Sequence, residues 1–189
     1  MVKAISGDVG AFCQHYPRVA AIVTAHSRGQ KNAMTVDWHT SLSLSPPLYG
    51  ICLAPGRFTY QLIIDSQEFG INFLPFEAAE LVHLVGSTGG RYMDKFQRFN
   101  LTLNQPVKTR VPILNAAYAA YECQLVDDRE YGDRRLLVGE ITAVHWQPEA
   151  FTPQETLDLA KVSPVLYLGG GFYLTSPQDT VRYLEHIDF

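Results

Sequence analysis

The chain has 189 residues, 47% hydrophobic and 18% charged, the profile of a single compact domain over residues 1–189, which excludes disorder, collagen-like repetition and a two-domain build. Fifteen Lys and Arg against nineteen Asp and Glu give a net charge of −4, so no broad basic face exists to neutralise a run of phosphates, and nucleic acid is not an expected partner. Cys13, Cys52 and Cys123 form no C-x-x-C pair, the six His are scattered, and no apolar stretch approaches the roughly 18 residues of a membrane span. The reading is a reduced, cytoplasmic protein with no metal and no membrane segment.

Val19 to Ala25 is an apolar, β-branched run closed by His26-Ser27-Arg28-Gly29, a buried strand ending in a polar turn. Strands are expected at Ala33–Val36 and Leu48–Leu53, the latter stopped by Pro55 and Gly56. Phe58, Leu62 and Ile63 stand at helical spacing, Glu68–Leu74 returns to strand, and Leu81, Val82 and Val85 mark one face of a helix over Glu77–Val85. Asp94–Phe99 adds a helical turn. Tyr118–Val126 and Leu136–Trp146 read as a long antiparallel hairpin joined by a polar turn over Asp127–Arg135. Val165–Leu168 and Phe172–Thr175 flank the hinge Gly169–Gly171, and a helical tail is expected over Thr180–His186. Many strands and few helices, without regular alternation, predict a mainly β fold: a closed or split antiparallel barrel with peripheral helices.

Three segments carry candidate chemistry. Asn32-Ala33-Met34-Thr35-Val36-Asp37-Trp38 and the Ser41-Leu42-Ser43 stretch interleave small polar groups with large apolar ones, which suits a pocket for a flat ligand with polar ring edges. By composition the same residues also fit an Asn-rich turn followed by a Ser and Thr loop, with Pro46-Pro47 enforcing an extended exit. Pro55-Gly56-Arg57-Phe58-Thr59 enters a helix, where exposed backbone N–H groups attract anions. There Arg57 and Thr59 would grip a phosphate, or remain a solvated charge and a first-turn residue. Gly90-Arg91 with Asp94-Lys95 offers a further cation, unless Lys95 lies on a solvated face. Cys52 and Cys123 sit in strands as inert thiols, no G-x-S-x-G elbow is present, and Gly169-Gly170-Gly171 lacks dinucleotide-fold spacing.

Taken in order, Pro17–Thr24, Asn32–Thr35 with Trp38, Ser43-Leu44-Ser45-Pro46-Pro47, Arg57-Phe58-Thr59, Glu68-Phe69-Gly70-Ile71-Asn72, Gly90-Arg91 with Asp94-Lys95-Phe96, and Gly139-Glu140-Ile141 resemble the flavin reductase-like FMN-binding split barrels. That family includes flavoredoxin and the reductase components of two-component monooxygenases. The resemblance implies a split barrel of six or so strands that works as a homodimer, with FMN at the edge of the subunit interface. It implies that Asn32, Ala33, Met34 and Thr35 meet the isoalloxazine edge, that Trp38, Ser41, Leu42 and Ser43 line the ring and ribityl chain, and that Arg57, Thr59 and Lys95 hold the phosphate. Tyr173 would cover the flavin or belong to the core. Where many relatives carry Gly-Asp-His, this chain has Gly132-Asp133-Arg134, so a permanent cation replaces a group that titrates near neutrality. Arg134 would meet a phosphate or an acidic partner, or stay a solvated turn residue. The implied activity is hydride transfer from NADH or NADPH to FMN and on to free flavin or a partner such as a monooxygenase, with no catalytic side chain required. The alternative is a flavoredoxin-like carrier that holds FMN tightly and oxidises NAD(P)H little.

Overall fold

The computed structural model describes residues 3–10 and 12–182. Its strands are β1 (Arg18–Val19), β2 (Ala21–Ser27), β3 (Gln30–Val36), β4 (His39–Leu44), β5 (Pro47–Leu53), β6 (Glu68–Phe73), β7 (Leu103–Asn104), β8 (Ile113–Leu114), β9 (Ala119–Tyr131), β10 (Arg134–Trp146), β11 (Leu166–Gly169) and β12 (Phe172–Leu174). The helices are α1 (Phe58–Ser66), α2 (Ala79–Ser87) and α3 (Lys95–Arg98). The main sheet is antiparallel, in the order β3-β2-β6-β9-β10-β5-β4.

This order dictates a barrel. β3 and β4 stand at opposite ends of it, yet only Asp37 and Trp38 separate them in the chain. Three extended residue steps reach about 11 Å, whereas seven flat strands would place the ends about 29 Å apart. The sheet must therefore curl until its ends meet. Cys52 N–H donates to Trp38 O at 2.8 Å and ties that corner to β5. Register shifts near Leu42, Val126 and Thr142 supply the local bends that curling requires.

β2 is buried on both faces, which is why it reads as a continuous apolar run. Ala21, Val23 and Ala25 point into the barrel with Ile51, Leu53, Phe69, Ile71 and Leu137, where Leu62 and Ile63 of α1 pack as a plug. Those two side chains are buried, each contributing roughly 1.5–3 kcal/mol. Ala20 and Ile22 point outward, under Val82 and Val85 of α2, Phe96 of α3, and Ile113 and Leu114. Gly139 lies on the inner wall, where an added Cβ would stand 2.5 Å from the Phe69 ring and 2.8 Å from Cys123 Cβ; glycine lets that ring lie flat against β10.

Two buried polar groups staple the loop between α3 and β9. The Asn72 side chain donates to Ile22 O (3.0 Å) and accepts from Leu114 N–H (2.8 Å). Glu122 accepts from the N–H groups of Val107, Lys108 and Thr109, from the Thr109 hydroxyl and from His145 Nε2, at 2.6–2.9 Å. Burial alone would push its carboxyl up, but those donors outweigh burial and hold it down at about 2.

Several expectations change. The Ser41–Pro47 stretch is not a loop with an extended exit: β4 and β5 form a hairpin in which Leu44 pairs with Pro47 around a cis Ser45–Pro46 bond. The turn expected over Asp127–Arg135 shrinks to Gly132-Asp133, because both strands extend until Tyr131 faces Arg134, and Gly132 takes φ +62°. The barrel sheet has seven strands, in keeping with the six or so that the resemblance implied, and β1, β11 and β12 form a small second sheet. Gln178–Thr180 is a single 3₁₀ turn, and residues 183–186 of the expected helical tail lie outside the described residues. No described helix is long and apolar enough to cross a membrane.

Candidate functional site

The barrel seam, where β3 turns into β4 beside β5, carries a groove of about 280 Å³. Its walls include Met34–Trp38, Cys52, Ala54, Arg57 and Arg134, together with Arg18 and Tyr167. β3 has only one neighbour in the sheet. Because Ala33 O accepts from Lys95 rather than from β2, Ala33 and, two residues on, Thr35 turn their backbone groups to the unpaired edge. That edge is a ready row of donors and acceptors.

One end of the groove is cationic. Helix α1 starts at Arg57 without a side-chain cap and has no acidic residue in its first turn, so its leading N–H groups remain open to an anion. Thr59, fully buried in that turn, accepts from Asn32 Nδ2 at 2.9 Å, which leaves its own hydroxyl hydrogen for a ligand. The other end of the buried Asn32 amide has no partner, at a cost of about 1–3 kcal/mol. Gly90 lies over that amide so closely that a Cβ would stand 2.0 Å from Oδ1. Lys95 is 3% exposed, and its ammonium donates to Ala33 O (2.9 Å) and Val85 O (2.7 Å), with a third hydrogen unassigned. Burial, and secondarily the Arg57 cation, push its pKa down to about 8. Asp94, its neighbour in sequence, does not neutralise it: that carboxylate caps α3 by accepting from the N–H groups of Phe96 and Gln97.

The other end is aromatic. The Arg134 guanidinium lies 5.5 Å above the Trp38 ring and pairs with Asp133 at 3.1 Å. Beyond Trp38 the groove opens into a larger bay walled by aromatic rings, with Cys13, Arg18, Asp37 and Cys52 on the boundary. Burial raises the pKa of Cys52, and that of Cys123 to about 12, so both thiols stay protonated, as their strand positions suggest.

The fold thus gathers Asn32, Ala33, Thr59 and Lys95 at one corner, and Met34, Thr35, Trp38, Arg57 and Arg134 along the groove. Ser41 lines the bay instead. Leu42 and Ser43 border neither space: Leu42 lies over Gly50, whose added Cβ would be 2.9 Å from it. Tyr173 packs behind the site, 5.0 Å from the Tyr167 ring and 5.8 Å from His83. Tyr167 is the ring that borders the groove. Sequence reasoning missed it along with Arg18 and Asp37, which form a 2.7 Å ion pair on the shared wall. Asp37 sat inside the recognised segment, but nothing local marked Arg18.

An antiparallel barrel whose seam joins an uncapped helix start, buried amide and ammonium groups, and an aromatic groove defines a split-barrel binding protein. A family model described as the flavin reductase like domain matches residues 13–176, and the chain belongs to that family. An FMN-binding protein from Thermus thermophilus, solved with bound 1-cyclohex-2-enone, superposes with a TM-score of 0.85 at 32% identity, covering 97% of this chain and 99% of that one. An uncharacterized protein of Pyrococcus abyssi is 34% identical over 72% of this chain and 78% of its own length. The reductase component of a 4-nitrophenol 4-monooxygenase/4-nitrocatechol 2-monooxygenase from Rhodococcus opacus is 32% identical over 67% of this chain and 65% of its own length.

Proposed function

We propose that the groove binds FMN and that the chain is an NAD(P)H-dependent flavin oxidoreductase, passing reducing equivalents to free flavin or to a partner such as an oxygenase. The observation that carries this reading is the corner where the start of α1, Arg57, Thr59 and Lys95 meet the unpartnered Asn32 amide, continuous with a groove bounded by Trp38. These residues fit a phosphorylated flavin. A dianion suits two cations and open helix N–H groups, and a flat ring with polar edges suits a groove bordered by Trp38 and Tyr167 whose edge is a strand's unpaired backbone.

FMN, when bound, supplies the hydride-accepting and hydride-donating chemistry. The protein's part is to hold and orient. Arg57 and Lys95 neutralise the phosphate, the Thr59 hydroxyl and α1 N–H groups donate to it, and the β3 edge fixes the ring rotation. Arg134, stacked on Trp38, places a permanent positive charge beside the groove. There it favours an anionic reduced ring and an anionic nucleotide donor, and it supplies no proton. The exposed apolar residues Phe12, Tyr16, Val144 and Trp146 around the bay support a homodimer in which a second copy covers that rim.

The test is an anaerobic absorbance spectrum of FMN-reconstituted protein before and after NADH, then NADPH. Bleaching of the flavin bands within seconds is expected. Bound FMN that stays oxidised would replace the reductase reading with that of a carrier fed by a protein donor, and failure to bind FMN would overturn both.

A further inference from the structure

Arg18 and Asp37 stand on the wall that the groove shares with the bay beyond Trp38. Asp37 belongs to the two-residue link between β3 and β4, and Arg18 comes from β1, where it pairs with Tyr167 across the small sheet. Nε and Nη2 of Arg18 both reach one oxygen of Asp37, Oδ2, at 2.8 and 2.7 Å. The Arg18 side chain is 8% exposed, and its guanidinium lies 5.1 and 5.9 Å from the Tyr16 and Tyr167 rings. A buried pair of charges adds little net stability over an apolar pair of like volume, so fastening β1 to the seam does not account for it.

The charges around the groove supply a reason. Among the described residues that border it, Arg18, Arg57 and Arg134 are cationic and Asp37 is the only carboxylate. A hydride carries two electrons and one proton, so a neutral flavin ring that accepts one from NAD(P)H becomes an anion, and the nicotinamide is left oxidised. An unpaired carboxylate on that wall opposes the new charge. Arg18 cancels it.

We propose that Arg18 is a positioning residue for the redox reaction: by pairing with Asp37 it keeps the one carboxylate of the groove wall from disfavouring the reduced flavin. It acts through Asp37 rather than on the reacting atoms. The inference rests on the flavin reading and adds to it a control of the flavin's potential. A groove of about 280 Å³ is about 8 Å across, and a unit charge acting over that span at an effective dielectric constant of about 30 shifts an equilibrium about tenfold.

The test is the midpoint potential of the FMN-loaded protein, measured by spectroelectrochemical titration at about pH 7.5, well above the ordinary carboxylate range. Arg18→Met leaves the carboxylate alone on the wall. It should weaken reduced relative to oxidised FMN about tenfold, a potential lower by about 30 mV for a two-electron couple. Asp37→Asn leaves the guanidinium unpaired and should shift the same ratio by a similar factor in the opposite direction. The double variant Arg18→Met/Asp37→Asn, and Arg18→Lys, should return it to within about twofold of the parent. Both single variants break the same contact, so a merely structural pair would move the potential the same way in each, with no return in the double variant. Unchanged potentials in both single variants, shifts of like sign, or a double variant that stays with Arg18→Met overturn the proposal. If Arg18→Met does not hold FMN, the isosteric Asp37→Asn carries the test by itself, and a potential that fails to rise overturns the proposal. FMN titration of the parent comes first: failure to bind there overturns the flavin reading, whereas binding without opposed shifts overturns the role of Arg18 alone.

Discussion

Replacing Lys95 with Met keeps the length and apolar stem of the side chain and removes only the ammonium. In the folded chain that group is buried and is the hydrogen-bond donor to Ala33 O and Val85 O. Two buried carbonyls left without a partner cost about 1–3 kcal/mol each, offset in part because a desolvated charge is also removed. A net loss of about 2 kcal/mol corresponds to a melting temperature lower by about 4–8 °C for a chain of this size. The same variant deletes one charge-assisted contact to the proposed phosphate, worth about 1.5–3 kcal/mol, so the Kd for FMN should rise about 10- to 100-fold. The pH dependence gives a second handle. A dianion favours the protonated ammonium, so affinity is full below the free protein's value of about 8 and falls as pH rises through it. Stability of the FMN-free protein runs the other way: the unfolded lysine still binds its proton between about 8 and its ordinary 10.5, so this residue adds stability as pH rises across that window. Fluorescence titration of FMN between pH 7 and 9.5, alongside thermal melts, reads both. A Kd within twofold of the parent, or parent affinity flat across that range, would refute the placement of the phosphate.

Thr59→Val should leave the Asn32 amide without its remaining partner and weaken FMN about tenfold with little change of fold, checked by titration and circular dichroism. Gly90→Ala drives a methyl group into the Asn32 amide, so FMN affinity should drop even though no charge is touched; an unchanged Kd would show that Gly90 does not order that corner. Glu122 lies away from the groove and tests the fold: its carboxylate, held at about 2 against an ordinary 4.5, contributes about 3 kcal/mol that is present above pH 5 and lost as pH falls toward 2. Glu122→Gln should remove most of that acid-side slope in urea titrations at pH 3 to 6. Gly139→Ala, which sets a Cβ against Phe69 and Cys123, should destabilise by about 1–3 kcal/mol through overpacking, read as a lower urea midpoint.

Much of the chain could be read in one dimension because the signals were local. The runs that became β2, β5, β6 and the β9–β10 hairpin, and the spacing of Phe58, Leu62 and Ile63 on α1, are set by side-chain type and period. Glu68-Phe69-Gly70-Ile71-Asn72, one of the fragments that carried the resemblance, turns out to act structurally: Gly70 makes room for the Thr24 hydroxyl, and Asn72 staples β6 to β2 and to Leu114. β4 was hidden because a strand at a sheet end, half exposed and rich in Ser and Thr, has the composition of a loop. Leu42 and Ser43 stood in a recognised segment but border neither the groove nor the bay, and Tyr173 takes the packed position that was its alternative, since side-chain direction follows from register and bulges, which are pairwise properties of strands.

The sequence by itself determined the mainly β class, the apolar strands, the Pro-Gly-Arg entry to a helix, and the cations near it, all of them consequences of residue chemistry within a few positions. Only the tertiary structure decided that Lys95 is buried against two carbonyls rather than solvated, that Asn32 and Thr59 meet across 27 positions, and that Arg18 and Tyr167 join Trp38 in walling the groove. The reason is physical: curling seven strands until β3 and β4 adjoin brings distant segments onto one seam, and the burial and pairing of each group there depend on that closure.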